Sequence, residues 1–168
     1  MPNLFQRGTT LLELLTVLSL LALLATAGLP SFVYLVEKNR LTTLFDELHA
    51  SLQDARTQAI THGKTIEVCA YTQGTQCGTD WSDGWVLRTA GTQEILRLNV
   101  SSHTKGSVHW SGYSRTIRFR ANGSSPTSNG RLILCGQKEL IGQLIINRQG
   151  RIRQGSSEEN RTERSRCR

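Results

Sequence analysis

The 168-residue chain is poor in everything that catalysis and metal binding usually require. Its four histidines, His49, His62, His103 and His109, are scattered, and no serine, cysteine or carboxylate stands with them in a nucleophile or ligand pattern. Four widely spaced cysteines form neither a CxxC pair nor a Cys/His zinc motif. No enzymatic activity, metal or cofactor is therefore expected. Internal repeats and long low-complexity segments are also missing, which leaves one modest domain behind whatever the N-terminus does. Charge is nearly absent from one stretch: between Leu11 and Leu29 the only ionisable residue is Glu13.

That stretch is about as long as a helix needs to cross a bilayer. A carboxylate within it is expensive, since a charged residue at the centre of a membrane helix costs roughly 2.5 to 3.5 kcal/mol. Glu13 consequently needs a cation, and an amino terminus nearby would serve. Ala25-Thr26-Ala27 also has the small-x-small form of a signal-peptidase site, but Glu13 would then fall inside the apolar core of the signal.

The residues Arg7-Gly8-Thr9-Thr10-Leu11-Leu12-Glu13 resemble the processing site of type IV prepilins. The resemblance implies cleavage after Gly8 by a membrane-bound prepilin peptidase and N-methylation of the new first residue, Thr9. Glu13 then takes the fifth mature position, where family members carry the glutamate that pairs with an amino terminus in the filament. Pro30 falls at mature position 22, which often holds a helix-perturbing proline in that family. Thr9 is a departure, because the first mature residue is usually Phe. By this reading residues 1–8 are leader, 9–30 a transmembrane and assembly helix, 31–63 its outer half and 64–168 a β-rich globular region.

From Ser31 to Thr61 a helical period continues. Phe32, Val36, Leu41, Phe45, Leu48, Leu52, Ala55 and Ala59 recur at threes, fours and fives, with most charged residues off that stripe. His62-Gly63 supplies a C-terminal stop. Beyond it, Thr65–Tyr71, Trp85–Thr89, Glu94–Val100, Thr116–Ala121, Arg131–Cys135, Gln143–Asn147 and Arg151–Arg153 read as short strands separated by Gly, Ser, Asn and Asp clusters. The plan is α+β: a long N-terminal helix packed on antiparallel sheet, with the other sheet face open. Ser156–Arg168 is polar enough to be mobile unless Cys167 is bridged.

In a domain exported beyond the inner membrane, an even cysteine count favours disulfides. Three pairings are formally open. Cys69 and Cys77 flank Gly74 at short range, which would leave Cys135 to hold the C-terminal tail through Cys167.

Trp81-Ser82-Asp83-Gly84-Trp85 with Val86-Leu87, and later Phe119-Arg120-Ala121-Asn122-Gly123, resemble the marks of the pilin group that contains the secretion pseudopilin GspH and the minor pilins FimT and FimU. Both segments also have a plain structural account: Asp83-Gly84 makes a turn and Trp85 opens a strand with a large apolar side chain. Asn122-Gly123-Ser124 matches a glycosylation sequon and is read as a turn.

The charge is regional. The chain is formally +7, yet residues 115–168 hold twelve Lys or Arg against four Asp or Glu, a net of +8. Arginine dominates, as Arg115, Arg118, Arg120, Arg131, Arg148, Arg151, Arg153, Arg161, Arg164, Arg166 and Arg168. Its planar fork suits bidentate phosphate contact, so a polyanion is the expected partner. Within Asn147-Arg148-Gln149-Gly150-Arg151-Ile152-Arg153, Gly150 would turn the chain. Alternation would put Arg151 and Arg153 on one face, about 6 to 7 Å apart, with Ile152 towards the core.

A Gly-Arg-x-Arg segment near the C-terminus is similar to the one through which FimT-type minor pilins of naturally competent bacteria bind DNA. The resemblance, closest to that type, implies that Arg148, Arg151 and Arg153 grip phosphates of double-stranded DNA while Gly150 permits close approach. No aromatic residue interleaves the arginines, which favours sequence-independent backbone contact over base stacking. The function implied is that of a minor type IV pilin supporting DNA uptake in natural transformation. It would sit in the bacterial inner membrane before assembly and in the pilus afterwards, beside other major and minor pilins. A structural minor pilin that primes assembly, or a GspH-like pseudopilin of type II secretion, would keep the same fold without DNA.

Overall fold

A computed structural model describes residues 10–72, 76–100, 106–137 and 139–167, apart from the side chain of Ala27. Gly8, Thr9, Gly74, His103 and Arg168 lie outside the described residues. The chain forms two compact units, Met1–Glu37 and Lys38–Arg168. One helix, α1 (Leu11–His62), contributes to both.

In the first unit the helix is opened by Thr10, whose Oγ1 accepts a hydrogen bond from the Glu13 backbone N–H at 3.2 Å. This is the arrangement of an N-cap, and it places Glu13 in the first turn, where its charge complements the helix dipole. The leucines that follow are exposed, as are Phe32 (64 %), Val33, Tyr34 and Leu35. Among the described residues α1 is the one helix long and apolar enough to cross a membrane, and its apolar window is wholly unburied. The helix continues through Pro30. Proline has no N–H to offer the carbonyl four residues earlier, so one rung of the helical ladder is missing there.

In the second unit the apolar stripe is covered. Leu41, Leu44, Phe45, Leu48, Leu52, Ala55 and Ala59 are all buried. Phe32 had been expected to begin this stripe; it lies in the first unit and remains exposed. α1 ends where Gly63 takes a φ of +61°, a left-handed conformation that stops helices at little cost for glycine.

Eight strands follow: β1 (Ile66–Ala70), β2 (Gly84–Thr89), β3 (Ile95–Val100), β4 (Ser107–Gly112), β5 (Ile117–Phe119), β6 (Gly130–Cys135), β7 (Leu140–Ile146) and β8 (Ile152–Gln154). They form two antiparallel four-stranded sheets, ordered β3-β2-β1-β5 and β4-β6-β7-β8. A single core joins the buried stripe of α1 to Ile66, Val68, Trp85, Leu87, Ile117 and Phe119 of the first sheet, and to Val108, Leu132, Leu134, Leu144 and Ile146 of the second. Trp85, which opens its strand as a core residue, is 1 % exposed.

Strand β4 had not been expected. Val108 is buried and Trp110 half-buried, while His109 between them is exposed, so its alternation is present but short and set among polar turns. The second sheet also departs from the open-faced expectation. Ile133 and Cys135 point away from the main core and form a second cluster with Cys167 and Leu140. What covers them is the C-terminal segment, a helix α2 (Ser157–Glu163) followed by a single 3-10 turn, Arg164–Arg166. A capping box starts α2: Ser156 Oγ accepts from the Glu159 N–H, and the Glu159 carboxylate accepts from the Ser156 N–H. Buried Gln143 of β7 donates to Asn160 at 3.0 Å and accepts from Arg131 at 3.2 Å. Arg131 in turn pairs with Glu163.

Disulfides close both expected loops. Cys69 joins Cys77 and Cys135 joins Cys167, with Cα–Cα distances of 5.5 and 5.3 Å. The second bridge fastens the tail that composition alone would leave mobile.

Candidate nucleic-acid interface

The β7–β8 connection carries the residues singled out in the sequence. Ile146 pairs with Ile152, leaving residues 147–151 as the turn. Asn147 organises it. Its side-chain oxygen accepts from the Arg151 N–H at 2.8 Å, and its backbone carbonyl accepts from the Gly150 N–H at 2.9 Å. Gly150 adopts a φ of +76° and is buried. A Cβ there would run into the Gly123 carbonyl. The close approach that requires glycine at 150 is thus made by the chain's own backbone.

A second loop meets this turn. Gly123 N–H donates to the Arg120 carbonyl at 2.7 Å, so the Asn122-Gly123 segment is a turn, and Ser125 N–H donates to the Arg148 carbonyl at 2.9 Å. From α1, Arg56 Nε donates to the Gly123 carbonyl at 3.0 Å. Three segments distant in sequence therefore converge, and each brings arginine: Arg56 from the helix, Arg120 from the loop, Arg148 and Arg151 from the turn.

Arg120, Arg148 and Arg151 are exposed and Arg56 is half-buried. Among the described residues no carboxylate lies within ion-pair distance of any of the four. Arg151 also lines an open groove of about 210 Å³ with Gln53, Arg56, Thr57 and Ile152. Ile152 packs against the main core as its alternation requires.

Arg153 is differently placed. Its two Nη groups meet the two oxygens of Glu159 at 2.7 Å each. The Arg153 fork pulls the Glu159 carboxyl from its ordinary 4.5 to about 2, helped by the Ser156 N–H. The Glu159 hydrogen bonds push Arg153 up. Arg151 and Arg153, expected as a matched pair, have different neighbours: Arg151 lies by α1 and Arg153 by α2.

Other arginines are also committed. Arg118 and Arg88 converge on Glu67, which is 2 % exposed. Glu67 stands opposite Arg88 on one neighbouring strand and opposite Arg118 on the other, so the antiparallel register builds the triad. Burial pushes the Glu67 carboxyl up, but hydrogen bonds from Arg118, Arg88 and Thr116 together outweigh it and hold the group below its ordinary value. Arg131 and Arg166 share Glu163, and Arg161 pairs with Glu158.

Sequence reasoning missed Arg56. The residue is 64 or more positions from its loop neighbours, and only the folded core brings them together.

Residues 45–150 match the family described as "Type II transport protein GspH". The chain belongs to that family. Its fold is pilin-like, a long N-terminal helix packed on antiparallel sheets, and it resembles the crystal structure of the type IV minor pilin FimU of Pseudomonas aeruginosa strain PAO1. In space group P21 the likeness has a TM-score of 0.61 at 23 % identity, covering 74 % of this chain and 94 % of FimU. The P65 form gives 0.55 at 22 % identity, with 67 % and 90 % covered. No curated protein sequence matches the chain.

Proposed function

We propose that the chain is a minor type IV pilin that binds double-stranded DNA without regard to sequence and supports DNA uptake in natural transformation. The observation that carries this reading is the group Arg120, Arg148 and Arg151, three exposed arginines on adjoining turns with no carboxylate among the described residues within ion-pair distance. Arginine forks in that setting suit phosphate oxygens and contain no device for reading bases. Arg153 contributes less while Glu159 holds it.

The N-terminal residues supply the assembly side of the proposal. Prepilin peptidase cuts after Gly8, Thr9 becomes the amino terminus, and the apolar part of α1 anchors the subunit in the inner membrane until it joins other pilins. Glu13, in the first helical turn, neutralises an amino terminus in the filament.

The test uses the full chain in detergent micelles with a fluorescently labelled duplex. Replacing both Arg148 and Arg151 with Gln should weaken binding about tenfold or more for every duplex and flatten the log K against log salt slope by about 1.8, two phosphate contacts at about 0.9 each. Equal affinity and slope in the variant would remove DNA from the proposal. A second reading, favoured by the GspH family match, is a structural pilin or a type II secretion pseudopilin, for which the unaltered protein would leave the duplex unbound.

A further inference from the structure

We infer that one DNA phosphate is held in the groove between α1 and the β7–β8 turn, gripped from both sides by Arg56 and Arg151. This inference rests on the DNA-binding reading and extends it from the C-terminal turn to the long helix.

Among the described residues the groove is lined by two cations and by no acid. Arg56 is oriented by the fold: its Nε is committed to the Gly123 carbonyl and lies 3.4 Å from the Cβ position of Gly150. Its Nη groups make no hydrogen bond among the described residues, although a guanidinium carries five donors. The acid closest to Arg56 along the helix is engaged elsewhere. Asp54, two residues from Arg56 on the helix, pairs with Arg97 and accepts from Gln58. Two like charges facing one cavity repel, and an anion between them turns that repulsion into two attractions.

Size and chemistry agree with a phosphodiester. The groove, open to solvent and about 210 Å³ in volume, has room for a phosphate group with part of its hydration. Because Arg56 is fixed on a helix and tethered through Nε, little side-chain freedom remains to be lost on binding. The remaining arginines, Arg120 and Arg148, extend the contact along the adjoining turns.

The experiment is duplex binding by the full chain in detergent micelles between 50 and 200 mM salt. Arg56→Gln should raise Kd about threefold or more and flatten the salt slope by about 0.9. Since that change also alters the Gly123 contact, a second variant leaves Arg56 in place. Thr57→Glu puts a carboxylate on the exposed lip of the groove and should weaken binding by a similar factor. Thr43→Glu is the control; it lies about 21 Å along the helix, beyond the Debye length of about 10 Å, and should change Kd less than about twofold. If Arg56→Gln and Thr57→Glu both bind like the unaltered protein while the Arg148 and Arg151 variants do not, the groove is excluded and the DNA-binding reading stands. If Thr43→Glu weakens binding as much as Thr57→Glu, the effect is general charge and the groove is likewise excluded. If the unaltered protein fails to bind duplex, both readings fall together.

Discussion

Arg153 and Glu159 face one another fork to fork, both Nη–Oε distances being 2.7 Å, across the junction between β8 and α2. The same carboxylate accepts from the Ser156 N–H, so one side chain starts the helix and docks it to the strand.

Glu159→Gln keeps a capping-box residue but removes the charge that holds Arg153. Arg153 then becomes available to phosphate, and duplex binding by the full chain should tighten, with the salt slope steepening by about 0.9. Fluorescence anisotropy measures both. The pair also gives α2 a pH dependence. The folded carboxyl titrates at about 2, below its ordinary 4.5, so the pair's contribution is complete above the ordinary value and is lost as pH falls towards 2. Amide protection factors in Ser157–Glu163, taken relative to the unstructured rate at each pH, should fall over that window while the strands of the core stay protected.

Glu67→Gln leaves two arginines facing a neutral group in a largely buried setting. Removing one member of a buried ion pair costs about 3 to 5 kcal/mol, and the low end applies because the Arg118 side chain is 53 % exposed. Urea unfolding at neutral pH should report a loss of about 3 kcal/mol. The lowered Glu67 value fixes the sign of the acid dependence: its stabilisation is present above the ordinary carboxyl range and disappears as pH drops through the folded value. The Gln variant should therefore lose less stability on acidification than the unaltered chain.

Gly150→Ala separates two roles for this glycine. Its φ of +76° and the Gly123 carbonyl in the Cβ direction predict a destabilisation of about 1 to 3 kcal/mol, seen as a lower Tm before any DNA is added. An unchanged Tm would mean that the turn tolerates a side chain and that the contact with Gly123 is dispensable.

Glu13→Ala should leave α1 in the membrane, since a charge is removed from an apolar span, while impairing entry into filaments. Membrane fractions and sheared filaments from the same cells distinguish the two steps. Normal incorporation would show that Glu13 has no assembly role.

What could be read from the sequence was what depends on local pattern. The stripe from Leu41 to Ala59 obeys helical spacing because one helix face is buried, and Ile152 followed the alternation of a strand. Cys69 and Cys77 are eight residues apart, so their bridge needed only a short excursion. The α2 helix was legible in principle from Ser156 and Glu159 as a capping box, but its seven residues include none that is buried, and apolar periodicity gave no signal. Arg56, and the Glu67 partners 21 and 51 residues away, required the strand register and helix packing that only the folded chain supplies.

Arg118, Arg131, Arg153, Arg161 and Arg166 pair with acids, so carboxylates work as a stencil over five of the eleven C-terminal arginines and leave a window at Arg120, Arg148 and Arg151. The net charge already counts those acids; what the pairing changes is which arginines a polyanion can reach. Through that window Arg56, Arg120, Arg148 and Arg151 can engage no more than four phosphates, so the limiting salt slope is about −3.6, a shallow dependence suited to a grip that can slide along DNA and let go.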